Sequence, residues 1–394
     1  EIWVAKGIYS PGALATSSFT LKEGVKIYGG FAATENNLEE RDSKRLHTDN
    51  LTVLDGSQGV ASKHVVFNTI PLSDATVLDG FSISGGKTDP SGDTDNSRGG
   101  GLYNYAGVKA VFSNLLITNN YGYRGGGVYN LGSATFKNIV FENNTAGYGA
   151  GMFNYNIGLS LTDIAFSNNK ASVQGGGLYH NTGVINLDRV SFIGNTSVQH
   201  GGGFYHAAGT SNLDNVVFSR NAVTTIGNYY GGGMFAAATT NLNNITFNAN
   251  TIGNTSATTA TGAGFYRSAG TSTVTNSIFW GNRRGNGISD QLNTAGIIVK
   301  NTIVEGGYTA GTNILIGDPI FTNVTEDKLV PKAGSPAIDA GDNTFAKTTL
   351  DILGNPRLFN DTVDLGAYEN QGGAGLNIQP SSFNPFTRGV DPKL

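Results

Sequence analysis

Short apolar runs alternate with glycine-rich and asparagine-rich turns along most of this 394-residue chain. The block GGGLYN begins at Gly99 and recurs in related form at Gly125, Gly149, Gly175, Gly201, Gly231 and Gly262. Successive copies are 24 to 31 residues apart. Helical periodicity is absent, and the repeat is too short for a propeller blade of about 40 residues. We therefore predict that each repeat forms one coil of a parallel β-solenoid.

A second repeated stretch lies between the glycine blocks and contains a phenylalanine followed three residues later by an asparagine. The two rows are Phe141, Phe166, Phe192, Phe218, Phe247 and Phe279, and Asn144, Asn169, Asn195, Asn221, Asn250 and Asn282. Equivalent residues of stacked coils lie about 4.8 Å apart, so we expect the phenylalanines to stack inside. The asparagines should bond from coil to coil at turns. The predicted fold class is all-β: a right-handed parallel β-helix (solenoid) with a C-terminal capping segment.

Composition narrows the partners and the sources of stability. Charged residues make up 14% of the chain and the formal net charge is −4, which predicts no nucleic-acid partner. There is no cysteine, so stability does not depend on disulfides. No apolar run approaches the roughly 20 residues of a membrane span. We expect a soluble monomer with no membrane span in this chain.

The repeat and the C-terminal region both resemble known families. From Gly99 to Asn282, the motifs FENN, FSNN, FIGN, FSRN, FNAN and FWGN alternate with GGG or GAG blocks, and they resemble polymorphic outer-membrane protein repeats. DPIF at Asp318, GSPAIDAGDN at Gly334, DILGNPR at Asp351 and VDLGAYE at Val363 resemble the choice-of-anchor module of secreted Bacteroidetes β-helix proteins. The resemblance implies an extracellular or cell-surface, adhesin-like protein. It implies no established chemistry.

These patterns divide the chain into three parts. We assign residues 1–305 to the β-helix, with repeats at 99–282, residues 306–371 to a C-terminal cap or anchor-like module, and residues 372–394 to a Gly/Pro/Ser-rich tail. A solenoid ends in an open sheet edge that needs covering. We expect the module to cover the open edge of the last coil.

Two neighbouring coils carry the strongest candidates for catalysis. Stacking predicts that His180 lies near His206 and that Asp188 lies near Asp214, each about one coil apart. Paired carboxylates suit general acid–base chemistry or cation binding. The acidic row does not extend to other coils, where Lys137, Thr162, Asn243 and Thr275 take its place. The alternative is a solvated strand face.

A cation is the candidate ligand of the turn DPSGDTDNSR. Asp89, Asp93 and Asp95 lie in this turn, and clustered carboxylates suit Ca²⁺ better than a softer metal. The turn lacks the spacing of an EF-hand loop. The alternative is an acidic loop without bound metal.

A row of aromatic residues follows the glycine blocks: Tyr103, Tyr129, Phe153, Tyr179, Tyr205, Phe235 and Tyr266. The residue before each of them is aliphatic or phenylalanine and must point the opposite way along a strand. If that preceding row faces the core, the aromatic row forms an exposed platform on which sugar rings stack. Tyr103, Tyr129, Tyr179 and Tyr205 are then the predicted ligand-binding residues. Burial under a loop or in the core is the alternative.

Taken together, these features favour a non-enzymatic function. The leading hypothesis is a secreted or cell-surface, adhesin-like β-helix that contacts a polysaccharide or another host or cell-surface ligand. The alternative is a carbohydrate-active enzyme, a polysaccharide lyase or glycoside hydrolase, with its site on the lateral face. A third is a structural spacer.

Overall fold

The computed structural model describes the following residues: 1–41, 51–155, 158–253, 262–293 and 296–372. Contacts within the chain define two compact units, Glu1–Gly183 (unit 1) and a unit that begins at Val184 (unit 2). Except for Gly372, the predicted tail at 372–394 lies outside the described residues.

The strands of unit 1 within these residues are β1 Ile2–Ala5, β2 Gly7–Tyr9, β3 Lys26–Phe31, β4 Thr52–Asp55, β5 Val66–Asn68, β6 Val77–Asp79, β7 Ser82–Ser84, β8 Leu102–Asn104, β9 Val111–Thr118, β10 Tyr121–Arg124, β11 Val128–Asn130, β12 Thr135–Glu142, β13 Thr145–Tyr148, β14 Met152–Asn154, β15 Leu159–Ser167, β16 Lys170–Gln174 and β17 Leu178–His180. Single 3-10 turns occur at Leu38–Glu40 and Asp95–Ser97.

The strands of unit 2 are β18 Val184–Ile193, β19 Thr196–Ser197, β20 Phe204–His206, β21 Thr210–Ser219, β22 Ala222–Val223, β23 Met234–Ala237, β24 Thr239–Asn248, β25 Thr251–Ile252, β26 Phe265–Ala269, β27 Ser272–Trp280, β28 Arg283–Arg284, β29 Ile297–Val304, β30 Thr312–Leu315, β31 Phe321–Asn323 and β32 Lys328–Pro331. Its 3-10 turns are Val324–Glu326 and Asn343–Phe345.

Each repeat forms one coil with three strands. In unit 1, β11, β12 and β13 form one coil and pair in parallel with β14, β15 and β16 of the next. In unit 2 the long sheet runs β18-β21-β24-β27-β29-β30, and the shorter sheets are β20-β23-β26 and β19-β22-β25-β28. The predicted all-β, parallel β-helix fold is confirmed. The glycine block and the phenylalanine stretch of each repeat correspond to two of these strands, and the third is short and carries little apolar pattern.

The predicted phenylalanine row fills the interior. In unit 1, the rings of Phe141 and Phe166 stack with centroids 4.7 Å apart. In unit 2, Phe192 and Phe218 stack at 4.8 Å, and Phe218 and Phe247 at 4.5 Å. All five side chains have 0% exposure, so each coil buries one aromatic ring against the next.

The predicted asparagine row bonds from coil to coil. Asn144 donates from Nδ2 to Oδ1 of Asn169 at 3.0 Å in unit 1, and Asn221 donates in the same way to Asn250 at 2.9 Å in unit 2. The left-handed backbone of this turn occurs one position before the row, for example at Asn143 with φ of 55°. Each buried amide keeps a hydrogen-bond partner because it lies directly above the equivalent asparagine of the next coil.

Glycine recurs in the block because the backbone of the next coil passes too close for a side chain. A Cβ at Gly127 would lie 2.5 Å from the carbonyl oxygen of Gly151. Gly125 has φ of 67°, and a Cβ there would lie 2.2 Å from the carbonyl oxygen of Val128. Only glycine avoids both clashes.

The first strand of the C-terminal module, β30, pairs with β29 and covers the edge of that strand as expected, but most of the module packs on the outer face of the long sheet of unit 2. Apolar residues on that face belong to one buried cluster with the module: Val217, Ile278 and Ile303 with Phe321, Leu329, Ala337, Ile352, Leu365, Ala367 and Tyr368. Asn244 Nδ2 donates to the carbonyl oxygen of Asp364 at 3.1 Å, and Asn276 Nδ2 to that of Asp342 at 3.0 Å. The apolar outward positions explain this placement, because leaving them in water is unfavourable.

A buried charged cluster organises the module. Arg357 and Glu369 form an ion pair at 3.0 Å, and Asp351 and Asp364 lie in the same interior. Asp351 accepts the backbone N–H of Leu353 at 2.9 Å through Oδ1. Burial raises the pKa of all three carboxyl groups. Every one of these groups has a partner, and we assign them a structural role.

Candidate functional site

The two candidate histidines point into the interior of their units, not to the outer face that carries the candidate aspartates. His180 in unit 1 and His206 in unit 2 each have 0% exposure. The imidazole Nδ1 of His180 lies 3.0 Å from Nδ2 of Asn154, at the end of an interior amide row that runs through Asn130. Burial lowers the pKa of His180 to about 4. Both histidines occupy inward positions of short strands, so the sequence-based expectation that they contribute to a catalytic face is wrong.

Asp188 and Asp214 lie opposite each other on the paired strands β18 and β21 of unit 2. Both side chains are half-buried. The Nη1 of Arg189 lies 2.5 Å from Oδ2 of Asp188, and Nδ2 of Asn215 donates to its Oδ1 at 3.1 Å. Asn243 donates from Nδ2 to Oδ1 of Asp214 at 2.8 Å. The predicted stacking of the two carboxylates is therefore present.

The environment of Asp214 favours its protonated form. Burial raises the pKa of Asp214, and the negative charge of Asp188 adds to this effect, while Asn243 and Lys347 oppose it. A carboxyl group with a raised pKa beside an ion-paired carboxylate is an arrangement that suits general acid–base catalysis.

A cleft in unit 2 lies elsewhere, among β29, β30 and residues 340–362 of the module. It has a volume of about 700 Å³ and is lined by Asn301, Asn313, Ile314, Leu315, Ala340, Gly341, Asp342, Asn343 and Thr362. Asp188 and Asp214 are not among its lining residues. The carboxylate pair and this cleft are therefore separate sites of unit 2.

The acidic turn of unit 1 is neutralised by basic side chains. Asp89 pairs with Lys63 at 2.9 Å, and Asp93 pairs with Arg98 at 2.8 Å and with Arg124 at 3.1 Å. Within the described ranges, no three acidic or histidine side chains converge as metal ligands. Ca²⁺ binding by this turn stays a prediction.

Asp95, the third aspartate of the turn, links the acidic turn to the aromatic row by hydrogen bonds. The hydroxyl of Tyr103 donates to Oδ1 of Asp95 at 2.8 Å, and the hydroxyl of Tyr105 donates to Oδ2. The guanidinium of Arg98 lies 5.1 Å from the ring centroid of Tyr129. Tyr103 and Tyr129 have exposures of 0% and 1%. An exposed platform is therefore not formed at these two predicted ligand-binding residues, because the acidic turn covers them.

Three tyrosines further along the row, Tyr179, Tyr205 and Tyr266, are more accessible, whereas Phe153 and Phe235 are buried. The residues that precede the row face the core, with Leu178 and Phe204 at 0% exposure. Tyr179 in unit 1 and Tyr205 in unit 2 are half-buried. In unit 2, Tyr205 stacks on Phe235 at 5.0 Å, and Phe235 stacks on Tyr266 at 5.6 Å.

Three further residues join this row in unit 2. His200 contacts Phe235 with ring centroids 4.6 Å apart, and it also contacts Tyr229 and Tyr230 at 5.5 and 5.6 Å. Tyr230 stacks on Tyr266 at 4.3 Å. We call Tyr205, Phe235, Tyr266, Tyr229, Tyr230 and His200 the aromatic cluster. The sequence analysis missed the last three as site residues, although the NYY insertion before Gly231 was a usable signal.

No helix in the described part of the chain is long and apolar enough to cross a membrane. Comparison with known families and with curated proteins found no match. Among solved structures, the chain is similar to a crystal structure of pectate lyase Pel9A, with a TM-score of 0.51 and 13% sequence identity. The match covers 94% of this chain and 87% of that chain. The likeness establishes a shared parallel β-helix fold.

Proposed function

We propose that this protein binds a polysaccharide at Asp188 and Asp214, on the part of the outer face of the long sheet of unit 2 that the C-terminal module leaves partly exposed. The observation that carries this proposal is the pairing of the two half-buried carboxylates on adjacent strands. A row of linked amides runs beside them: Asn212 Nδ2 donates to Asn186 Oδ1 at 2.9 Å, and Asn241 Nδ2 donates to Asn212 Oδ1 at 2.9 Å. Carboxylates and amides suit sugar hydroxyl groups because they accept and donate hydrogen bonds.

The structural likeness supports the ligand class, because the neighbour is a pectate lyase. A surface that repeats at the strand spacing of about 4.8 Å suits a polymer better than a small ligand. The proposal places the protein outside the cell or on its surface, as an adhesin-like monomer. The resemblance of the repeats and of the C-terminal module supports this setting.

Affinity electrophoresis in gels that contain polysaccharides tests the binding. We expect retardation of the wild-type protein and its loss in the double variant Asp188→Ala/Asp214→Ala. Asp74→Ala provides the matched control, because Asp74 is exposed in unit 1 and far from this face in sequence. Equal retardation of all three proteins would overturn the proposal.

A second candidate function is cleavage of the bound polysaccharide, which the raised pKa of Asp214 favours. In this reaction, protonated Asp214 gives its proton to the glycosidic oxygen as the bond to the anomeric carbon breaks. Asp188 attacks that carbon and forms a glycosyl ester, since a separation of about one coil is close to that of retaining enzymes, and water that gives a proton to the Asp214 carboxylate then hydrolyses the ester. The products are two shorter chains, and one water molecule is consumed.

Incubation with neutral and acidic polysaccharides, followed by assays for new reducing ends and for unsaturated products, tests cleavage. If the pair is catalytic, Asp214→Asn lowers turnover by about 10²-fold or more, the usual contribution of a general acid. Asp74→Asn should leave turnover unchanged. Absence of product from the wild-type protein restricts the function to binding, and unsaturated product excludes the hydrolytic step described above.

A further inference from the structure

A row of asparagines runs along the outer face of the long sheet of unit 2 and ends in the cleft beside the C-terminal module. We call it the outer amide row, and its members are Asn215, Asn244, Asn276, Asn301 and Asn313. They occupy equivalent positions of adjacent strands, and each has a left-handed backbone with φ between 46° and 53°. The first three contact the module, whereas the last two line the cleft.

Where the module covers it, the outer amide row binds main-chain atoms. Asn215 donates from Nδ2 to the carbonyl oxygen of Leu350 at 3.0 Å. Asn276 donates from Nδ2 to the carbonyl oxygen of Asp342 at 3.0 Å, and its Oδ1 accepts the backbone N–H of Asp342 at 2.9 Å. A side-chain amide that pairs with both backbone groups of one residue recognises polypeptide chain of any sequence, because every residue except proline carries these two groups.

An apolar row beside the outer amide row also continues into the cleft. Val217, Ile278 and Ile303 face the module from equivalent outward positions and are buried. Leu315 is the next member of this row, because it pairs with Ile303, and its side chain is 37% exposed. The cleft therefore contains both components of the surface on which the module docks, one strand beyond the part that the module covers.

A carboxylate gives the cleft its charge. Asp342 lines the cleft, and hydrogen bonds from Thr344, with a smaller contribution from Asn301, lower the pKa of its carboxyl group. The other lining residues are uncharged. Asn313 donates from Nδ2 to Oδ1 of Asn301 at 2.9 Å, and among the described residues no group donates to the Oδ1 of Asn313. The cleft thus offers a ligand one negative charge and an amide oxygen that can accept a hydrogen bond.

We propose that this cleft binds an extended peptide segment of a partner protein that carries an apolar residue and a lysine or arginine. The peptide main chain pairs with Asn301 and Asn313, as the module pairs with the earlier members of the row. The apolar side chain packs on Leu315, and the basic side chain pairs with Asp342. The volume of about 700 Å³ lies within the range of roughly 300–1,000 Å³ that ligand clefts have.

Selection of octapeptides from a random display library on the full chain tests the inference, with fluorescence polarisation of the synthetic peptides to measure affinity. We expect the selected peptides to share an apolar residue and a basic residue. Asn313→Gly should weaken their binding by about tenfold, because glycine keeps the left-handed backbone and removes the amide. Asn119→Gly is the matched control, because Asn119 is exposed in unit 1 with φ of 54°.

The contribution of charge has a test of its own. Asp342→Asn should weaken binding of a selected peptide by about threefold, the usual scale of an exposed ion pair. The same peptide with its basic residue replaced by glutamine should bind the wild type and Asp342→Asn equally. Asp74→Asn controls for the loss of one negative charge, because Asp74 is exposed in unit 1.

Further measurements separate this site from the proposed function and from other occupants. The double variant Asp188→Ala/Asp214→Ala should bind the selected peptides with wild-type affinity, and circular dichroism checks that all variants fold. The inference is overturned if the selection yields no binding peptide, or if folded Asn313→Gly binds the peptides like the wild type. It is also overturned if sedimentation shows a dimer that Asn313→Gly abolishes, or if cellohexaose binds the wild type and not this variant, since a second copy or a saccharide is then the occupant.

Discussion

The aromatic row has the same register in both units but opposite surroundings. In unit 1, Tyr103, Tyr129 and Phe153 stack from coil to coil at 5.2 and 5.4 Å and are almost fully buried. In unit 2, Tyr205, Phe235 and Tyr266 stack at 5.0 and 5.6 Å, and the two tyrosines keep part of their surface exposed. The stacking is a property of the repeat, whereas the exposure depends on what lies beside it.

The covering segment explains the difference. The acidic turn of unit 1 supplies Asp93, Asp95 and Arg98, and these charges occupy the tyrosine hydroxyls and ring faces. The insertion of unit 2 supplies Tyr229 and Tyr230 and no charged side chain. Charged side chains therefore cover the aromatic row of unit 1, whereas two further aromatic rings extend the row of unit 2. The comparison predicts different responses to mutation and pH.

The largest expected effect comes from truncating a buried residue in the aromatic row of unit 1. Tyr103→Ala should lower the free energy of unfolding by about 3–5 kcal/mol, the usual loss for a buried aromatic residue. Tyr266→Ala should cost about 1 kcal/mol, because its side chain is half-buried. Urea denaturation measures both, with Tyr9→Ala as the control. Equal losses at Tyr103 and Tyr266 would contradict the comparison.

The next effect concerns pH and the interior of unit 1. An unfolded histidine protonates near pH 6.5, whereas folded His180 stays neutral down to a pKa of about 4. Stability should therefore fall by about 1–3 kcal/mol as the pH decreases from 6.5 to 4.

His180→Asn continues the amide row of Asn130 and Asn154 and should reduce this pH dependence. Melting temperatures at pH 7, 5.5 and 4 measure the pH dependence of stability in this variant, with the wild type as reference. A His180→Asn variant that loses as much stability in acid as the wild type would show that His180 is not responsible.

A smaller effect should follow from opening the acidic turn. Asp95→Ala removes the acceptor of the Tyr103 and Tyr105 hydroxyls, and we expect a loss of about 1 kcal/mol. Tyr103 should also become more accessible to nitration by tetranitromethane, which makes unit 1 resemble unit 2. Asp74→Ala controls for the loss of one negative charge. Unchanged nitration of Tyr103 would show that the turn does not close the row.

The smallest effect is expected for metal removal. Because Asp89 and Asp93 already pair with Lys63, Arg98 and Arg124, adding Ca²⁺ or a chelator should change the unfolding free energy by less than about 0.5 kcal/mol. Differential scanning calorimetry with Ca²⁺ and with EGTA measures this. A large stabilisation by Ca²⁺, lost in Asp93→Asn, would establish the predicted metal site instead.

Part of the candidate site followed from the sequence. The spacing of Asp188 and Asp214 was enough to predict that they stack, because equivalent positions of adjacent coils must align. The same reasoning brought His180 and His206 into the site wrongly, because it ignored which face of the short strand each residue occupies. The contribution of His200 was missed, because its contacts join it to Tyr229 and Tyr230, about 30 residues later in the irregular segment between β22 and β23.

The sequence by itself determined the coil, its period and the two interior rows, because identical side chains in stacked coils meet at one fixed spacing. Only the tertiary structure decided which outer rows are covered: the acidic turn lies over Tyr103 and Tyr129, and the module lies over Val217 and Ile278. These contacts join segments outside the repeat to the repeat, and no periodicity in the sequence encodes where such a segment docks.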